Sequence, residues 1–170
     1  PKASQLNYLK SLEFSGNYLL NFINDILEIN RLESDKVVLE KINFNLPELT
    51  ENIVTSFKEF IHENNIKCHL NIDKSINYNL KGDPTKLSQI LINLLNNAIK
   101  FSKNGDVWCN IIKKSETTNN VTLYFEIKDN GIGIPKDKQD AIFDSFSQGS
   151  VEINRTYGGT GLGLSIVKKI

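Results

Sequence analysis

The sequence predicts an α+β fold, a two-layer α/β sandwich in which helices cover a mixed sheet, preceded by one long bundle helix. Three observations predict it. A long run of heptad-spaced apolar residues opens the chain, an amphipathic helix lies near its middle, and two alternating segments typical of strands follow that helix. Because helices and strands alternate irregularly, one helical layer over a single mixed sheet is the expected arrangement.

The first helix is predicted from Leu6 to Glu33. Its apolar residues form a heptad-like stripe with flanking positions: Leu9, Leu12, Leu19, Ile23 and Ile26, beside Phe22, Leu27 and Ile29. At 1.5 Å per residue this helix is about 40 Å long. A lone helix with so much apolar surface needs partners, so we expect a helical bundle. An ordinary amphipathic helix packed on its own domain is the alternative.

The next segments are predicted from alternation and from proline. KVVLEKINF, residues 36–44, alternates as a strand does, and a helix is expected over 46–63 with Pro47 in its first turn. Short strands are expected over 66–72 and 76–80.

The second half of the chain carries the stronger signals. Asp83 as N-cap and Pro84 as first helical residue begin the helix that contains LINLLNNAIKF. Residues 106–114 and 121–129 are the two strong strands, and a last helix begins in GLSIVKKI, residues 163–170.

Composition excludes several classes of function. Lys and Arg number 20, and Asp and Glu number 20, so no net charge favours nucleic acid or an anionic membrane. Cys68 and Cys109 lie in apolar runs without a CxxC pair, which predicts core thiols rather than a disulfide or zinc site. No apolar run reaches the ~20 residues that cross a bilayer. We therefore expect a cytoplasmic segment without membrane or nucleic-acid contact, whether or not its parent protein is membrane-anchored.

The segment LINLLNNAIKF, residues 91–101, places asparagines among leucines in a predicted helix. A buried amide without a partner costs about 1–3 kcal/mol, and asparagine is unfavourable inside helices. At about 100° per residue, Asn93, Asn97 and Lys100 share one narrow side of the helix. Amide oxygens suit Mg²⁺, and a lysine one turn on suits phosphate oxygens. A solvated polar stripe is the alternative, and it is the expected environment of Asn96.

Two glycine-rich motifs follow. DNGIGIP, residues 129–135, ends a strand, where glycines let the backbone approach a flat ligand and a carboxylate can accept from an exocyclic amine. A tight turn is the alternative. GGTGLGLS, residues 158–165, exposes backbone amides before a helix, as a phosphate site does. Between the motifs, Phe143 and Phe146 precede a polar loop typical of a mobile lid, with core packing as the alternative for both rings.

In this order the motifs resemble the catalytic and ATP-binding domain of sensor histidine kinases. Their Bergerat-type ATP-binding fold is shared with DNA gyrase, mismatch-repair ATPases and heat-shock chaperones. LINLLNNAIKF resembles the N box, DNGIGIP the G1 box, FDSF the F box, in the form common in hybrid kinases, and GGTGLGL the G2 box. The resemblance implies a partial dimerisation and phosphotransfer domain, its second helix only, over 1–35, and a C-terminally truncated catalytic domain over 36–170.

The resemblance also implies ligands and their contacts. ATP and Mg²⁺ would bind, with Asn97 as the metal ligand and Asn93 supporting the metal or its waters. Lys100 would lie on a phosphate and Phe101 near the adenine. Asp129 would accept a hydrogen bond from the adenine amino group. The remaining contacts would come from the G1 box, the F box, the lid and the G2 box: Gly131, Gly133, Ile134, Phe143, Phe146, Arg155, Gly159, Thr160, Gly161, Leu162 and Gly163.

The implied activity is that of a protein-histidine kinase, which transfers the γ-phosphoryl group of ATP to a histidine. The phosphoryl group would pass to an aspartate of a response regulator receiver domain, and the parent kinase would be a homodimer through its helical domain. In ATP-hydrolysing relatives a glutamate that activates water matches Asn93, and an amide cannot act as that base. Phosphoryl transfer depends mainly on positioning and charge neutralisation. The alternatives are an ATPase of this fold, a nucleotide-dependent dimerisation module and a serine kinase of the anti-sigma type.

The sequence departs from the family pattern in two ways. The usual acceptor lies in a His-Glu or His-Asp motif, whereas His62 and His69 lie in no such motif. We expect both to be ordinary residues and the acceptor to lie outside this fragment. Family domains also continue past the G2 helix for two more strands, so we expect a fragment trimmed at both ends.

Overall fold

The structure is a computed structural model that describes residues 3–33, 38–145 and 160–170. These residues fall into two compact units, each described by itself below. One unit is Val38–Asp140, and the other combines the N-terminal helix with the described residues from Ala141 onward. The domain division predicted from the sequence, 1–35 and 36–170, stays a prediction.

The Val38–Asp140 unit contains five strands, three α-helices and a short 3₁₀ turn (Lys136–Lys138). In chain order they are β1 (Ile42–Phe44), α2 (Leu46–Ser56), α3 (Lys58–Glu63), β2 (Lys67–Ile72), β3 (Leu80–Gly82), α4 (Pro84–Phe101), β4 (Asp106–Glu116) and β5 (Val121–Asp129). Strand β4 is central in one sheet, parallel to β2 and antiparallel to β5, while β1 and β3 form a separate antiparallel pair. The mixed sheet with its helices confirms the predicted fold class.

The core of this unit lies between the mixed sheet and the apolar sides of α2 and α4. Its fully buried members come from both layers: Leu46, Leu91, Leu95, Ile99, Val107, Cys109 and Ile111. Cys109 is therefore a core thiol as predicted, and burial raises its pKa to about 11. Cys68 is half-buried and also unpaired.

Side-chain caps set the beginnings of α2 and α4. Asn45 Oδ1 accepts the Glu48 N–H at 2.9 Å, and Asp83 Oδ1 accepts the Lys86 N–H at 2.9 Å. The second carboxylate oxygen of Asp83 accepts the Glu40 N–H at 3.0 Å. Asp83 therefore both begins α4 and holds the chain that enters the unit.

Three predicted elements are shorter or broken, and local turn bonds explain two of them. Of the strand expected over 36–44, residues 36–37 lie outside the described residues, 38–41 are not in a strand, and the strand is Ile42–Phe44, which pairs with the three residues of β3. The expected strand over 76–80 begins only at Leu80, because Asp73 accepts the backbone N–H and the hydroxyl of Ser75 and so forms a turn.

The helix expected over 46–63 is interrupted at Phe57. The Phe57 N–H donates to the Val54 carbonyl at 3.1 Å, three residues back, while the Ser56 hydroxyl donates to Ile53 at 2.6 Å. These bonds span three residues instead of four, so they tighten the last turn of α2 and end that helix before α3 begins. The helices at 84–101 and 163–169 and the strands β2, β4 and β5 confirm the other predictions.

The second unit contains α1 (Ala3–Glu33), a short 3₁₀ turn (Ala141–Phe143) and α5 (Gly163–Lys169). Helix α5 packs on the C-terminal part of α1 through a small apolar cluster: Phe22, Ile26, Ile29, Leu32, Leu162, Ile166 and Ile170. The remaining apolar side chains of the predicted stripe are exposed: Leu9, Leu12, Leu19, Ile23 and Leu27. No helix in the described ranges is both long and apolar enough to cross a membrane.

Replacing Asp83 with alanine is expected to lower the free energy of unfolding by about 1–2 kcal/mol, because α4 loses its N-cap. Urea denaturation measures the change. Asp83→Asn is the matched control, since its amide oxygen still accepts the Lys86 N–H but its amide nitrogen cannot accept the Glu40 N–H. We therefore expect a smaller loss with asparagine, and equal losses would contradict the capping role.

Candidate functional site

The polar stripe predicted on α4 is present as a half-buried strip beside the core face. Asn93, Asn97 and Lys100 are half-buried, whereas Leu91 and Leu95 are fully buried. Asn96 is exposed, which confirms its expected solvent-facing position. The two asparagines one turn apart thus present amides at the boundary between core and solvent.

Lys100 lies in a partly desolvated position at the end of this strip. Its Nζ is 4.8 Å from the ring centroid of Phe101, and burial lowers its pKa below the ordinary lysine value. Desolvation disfavours the charged ammonium, and a nearby anion such as a phosphate would favour it again. The electrostatics of Lys100 therefore fit an anionic ligand.

One aspartate and one asparagine side chain hold the G1 turn after β5. Asp129 Oδ1 accepts the Gly131 N–H at 2.9 Å, and Asn130 Oδ1 accepts the Asp106 N–H at 2.7 Å. Asp129 itself is exposed at the end of the strand. The turn therefore presents a carboxylate to solvent while its backbone is tied to the start of β4.

Gly131 joins this turn to the end of α4. A Cβ atom on Gly131 would overlap the Phe101 carbonyl oxygen and lie 2.9 Å from Ser102 Oγ. The Ile132 N–H donates to the same Phe101 carbonyl at 3.3 Å. The close approach at Gly131 is thus between the N box and the G1 box. The predicted contact of Gly131 with a ligand stays a prediction.

Gly133 and Ile134 complete the described G1 contacts. Gly133 has a left-handed φ of +68°, which glycine adopts without strain, and a Cβ there would meet no atom within 4 Å. Ile134 is exposed. This part of the turn is open, as the predicted approach to a flat ligand requires.

The F box and G2 box belong to the other unit. Phe143 is 37% exposed in the 3₁₀ turn, and Phe146, Arg155 and Gly159 lie outside the described residues. Four of the predicted G2 contact residues are described, Thr160, Gly161, Leu162 and Gly163, and Leu162 is fully buried.

Two polar contacts hold the described G2 residues within that unit. Thr160 Oγ1 donates to Asp25 Oδ2 at 2.8 Å and accepts the Leu162 N–H at 3.2 Å. Burial raises the pKa of Asp25, and the hydrogen bond from Thr160 opposes that rise. Gly161 has a φ of +72°, a conformation that favours glycine.

Sequence reasoning missed Ser102, the residue after the N box. It is 1% exposed, and its hydroxyl has no hydrogen-bond partner in the described part of the chain. A serine that ends a helix is common, so the sequence carries no signal for it. Beside Gly131, this unpaired hydroxyl is a polar feature that a ligand site can use.

The residues in this unit fit a nucleotide with a Mg²⁺ ion. Two half-buried amides supply hard oxygen donors, a desolvated lysine suits phosphate, and an exposed carboxylate at a strand end suits an exocyclic amine. Gly131 and the unpaired Ser102 hydroxyl lie where the two motifs meet.

Residues 82–170 match the family model described as "Histidine kinase-, DNA gyrase B-, and HSP90-like ATPase". This segment is just over half of the chain. The chain belongs to the histidine kinase-, DNA gyrase B- and HSP90-like ATPase family. All four boxes recognised in the sequence lie inside the segment that matches this family.

Histidine kinases are among the proteins that the chain resembles. The chain is 39% identical over 167 residues to the signal transduction histidine-protein kinase BarA of Escherichia coli (strain K12), covering 98% of this chain and 18% of BarA. The structure of full-length ShkA in complex with AMPPNP matches with a TM-score of 0.80 at 28% identity, covering 99% of this chain and 34% of that one.

A third match is the histidine kinase ThkA in complex with the response regulator protein TrrA. Its TM-score is 0.62 at 25% identity, and it covers 91% of this chain and 44% of that one. The matches confirm that the chain carries the nucleotide-binding catalytic domain of the sensor histidine kinase type within the ATPase family. The chain spans less than a fifth of BarA.

Gly131→Ala is expected to destabilise the Val38–Asp140 unit by about 3 kcal/mol, because its Cβ would overlap backbone that cannot move as a flexible side chain does. Thermal and urea denaturation measure the loss. Gly133→Ala is the comparison: the space there is open, so only the left-handed φ opposes alanine, at about 1 kcal/mol. An equal or smaller loss at Gly131 would show that the two boxes are not joined there.

Proposed function

We propose that this chain binds ATP together with Mg²⁺ and directs the γ-phosphoryl group to a histidine of a protein partner. The observation that carries the proposal is the junction at Gly131, which brings the end of the amide-bearing helix α4 against the Asp129 turn. One helix then supplies groups for the metal and the phosphates, and the adjoining turn supplies groups for the base. Family membership and the AMPPNP complex of ShkA support the nucleotide.

The α4 strip would hold the triphosphate end. Asn97 would ligate Mg²⁺ through its amide oxygen, and Asn93, one turn earlier, would support the metal or its waters. Lys100 would contact a phosphate, which restores the charged state that burial disfavours. Bound Mg²⁺ neutralises phosphate charge that develops during phosphoryl transfer.

The G1 turn would hold the base. One oxygen of Asp129 is engaged by the Gly131 N–H, which orients the carboxylate so that the other oxygen can accept from the adenine amino group. Phe101 is half-buried at the same end of α4 and would lie near the base, while Gly133 and Ile134 would leave room for it.

The lid and the phosphate-binding loop are proposed from the family motifs alone. Their residues are Phe143, Phe146, Arg155, Gly159, Thr160, Gly161, Leu162 and Gly163. For Leu162 the proposed contact is through the backbone, since its side chain is buried against α1.

Transfer rather than hydrolysis follows from the chemistry of Asn93, whose amide cannot deprotonate water. A histidine ring nitrogen of the partner attacks the γ-phosphorus, the bond to the bridging oxygen breaks, ADP leaves and the ring proton passes to solvent. Within the chain, His69 is hydrogen-bonded to Asp106 at 2.8 Å and stacked on Trp108, and His62 is exposed on α3. Neither lies in an acceptor motif.

Two protein partners are part of the proposal. The exposed apolar side chains of α1 at Leu9, Leu12, Leu19 and Ile23 follow the spacing of a bundle helix, which supports a homodimer through the helical domain of the parent kinase. The complex of ThkA with TrrA supports a response regulator as the final acceptor. An ATPase or a nucleotide-dependent dimerisation module would share the ATP site but leave histidine unmodified.

Asp129→Ala is expected to abolish adenine-nucleotide binding, because the base loses its acceptor, whereas Asn97→Ala mainly removes the Mg²⁺ dependence. Calorimetric titration with an ATP analogue, with and without Mg²⁺, measures both. Asn96→Ala is the matched control, since its exposed amide should change neither property. Wild-type affinity and Mg²⁺ dependence in both site variants would contradict the assignment of Asp129 and Asn97 to the nucleotide site.

Transfer is tested with γ-labelled ATP and a separately supplied helical hairpin that carries the family's His-Glu motif. We expect label on the hairpin, sensitive to acid as phosphohistidine is, and little release of inorganic phosphate. Asn97→Ala should lower the labelling rate by at least tenfold. Rapid phosphate release with an unlabelled hairpin would instead identify an ATPase.

A further inference from the structure

Two buried side-chain hydroxyls in the described ranges have no hydrogen-bond partner, that of Tyr78 and that of Ser102, the serine that follows the N box. The buried polar residues in the described ranges are Thr50, Ser102 and Ser165. Thr50 Oγ1 donates to the Leu46 carbonyl at 2.9 Å, and Ser165 Oγ donates to the Leu162 carbonyl at 2.8 Å. Both use a carbonyl of the preceding helical turn, whereas the hydroxyl of Ser102 finds no partner among the residues described.

The backbone of Ser102 explains why its hydroxyl lacks the usual partner. Its N–H donates to the Ile99 carbonyl at 3.4 Å, and its own carbonyl accepts the Gly105 N–H at 2.9 Å. These bonds end α4 with φ −114° and ψ 38°, outside the helical region, so the side chain leaves the helical path. The hydroxyl then faces the G1 turn, 2.9 Å from the position that a Cβ of Gly131 would take.

Gly131, the residue next to the Ser102 hydroxyl, is also the residue whose N–H orients Asp129. The Gly131 N–H donates to Asp129 Oδ1, so Ser102, Gly131 and Asp129 form a connected series from the end of α4 to the exposed carboxylate. A buried hydroxyl without a partner costs free energy in the folded protein. Such groups are uncommon in native proteins, and a role in function is one of the explanations for those that persist.

We propose that Ser102 is a positioning residue for base recognition. In the nucleotide-bound protein its hydroxyl hydrogen-bonds to the G1 turn, or to a water held between that turn and the base, and thereby fixes Asp129 against the exocyclic amine. The inference rests on the proposed function, because it requires an adenine nucleotide at Asp129. It predicts that Ser102 affects recognition of the amine more than binding of the phosphates.

The test compares Ser102→Ala with wild type by thermal denaturation without ligand and by calorimetric titration with ADP and with IDP. In IDP a carbonyl replaces the exocyclic amine of ADP, which would donate a hydrogen bond to Asp129. We expect an unchanged or higher melting temperature, since an unpaired buried hydroxyl is removed. ADP should bind roughly threefold to tenfold more weakly, the effect of about one hydrogen bond, with IDP affinity unchanged.

Thr50→Val is the matched control, because it removes a buried hydroxyl that is hydrogen-bonded within α2. It should lower the melting temperature and leave the ADP to IDP ratio unchanged. Ser102→Cys keeps the side-chain shape but has only a weak hydrogen-bonding group. If the alanine variant does not fold, the cysteine variant should show the same weaker binding of ADP relative to IDP.

An unchanged ADP to IDP ratio in Ser102→Ala overturns the proposal. A lower melting temperature in that variant also overturns it, because the hydroxyl would then have a structural partner in the free protein. If wild type binds neither nucleotide, the proposed function itself fails, and that result is distinct from both others.

Discussion

The arrangement of the candidate site depends on one backbone contact, where Gly131 lies directly over the Phe101 carbonyl. Any side chain at Gly131 would overlap that carbonyl, so only glycine lets the turn after β5 reach the end of α4. The Ile132 N–H uses the same oxygen as its acceptor. Helix end and turn are therefore held together by backbone atoms, which do not change with side-chain rotamers.

The chemistry of the site follows from this junction. Helix α4 is anchored by its buried leucines on one side and by the Asp83 cap at its start, so its polar strip has a defined position and rotation. Strand β5, paired along its length with β4, ends at Asp129. Because both supports are regular elements within one core, an amide pair, a lysine and a carboxylate reach the surface without depending on a flexible loop.

Periodicity and capping in the sequence predicted the elements that matter most for the site. In helix α4 and in strands β4 and β5 the apolar residues recur with the spacing of a single type of secondary structure over a long segment. The errors fell on short segments, such as 76–80, where the Asp73 side chain forms a turn that alternation does not reveal.

The features that sequence reasoning could not supply are those that depend on contacts between distant residues. The contact of Gly131 with Phe101, 30 positions earlier in the chain, is one that the sequence does not reveal, while its predicted approach to a ligand stays a prediction. The position of the buried Ser102 hydroxyl beside the G1 turn is likewise a contact between residues far apart in the chain. Asn96, in contrast, was placed correctly because helical geometry alone determines its side.

The central claim is that the N box and the G1 turn form one nucleotide site, and amide NMR during titration with Mg²⁺ and ADP tests it most directly. We expect the backbone amides of Gly131 and Gly133 and the side-chain amides of Asn93 and Asn97 to shift with a single dissociation constant. The side-chain amide of Asn96, exposed on the same helix, should not move. Shifts of Asn96 equal to those of Asn97, or shifts in the turn without any on α4, would contradict the account.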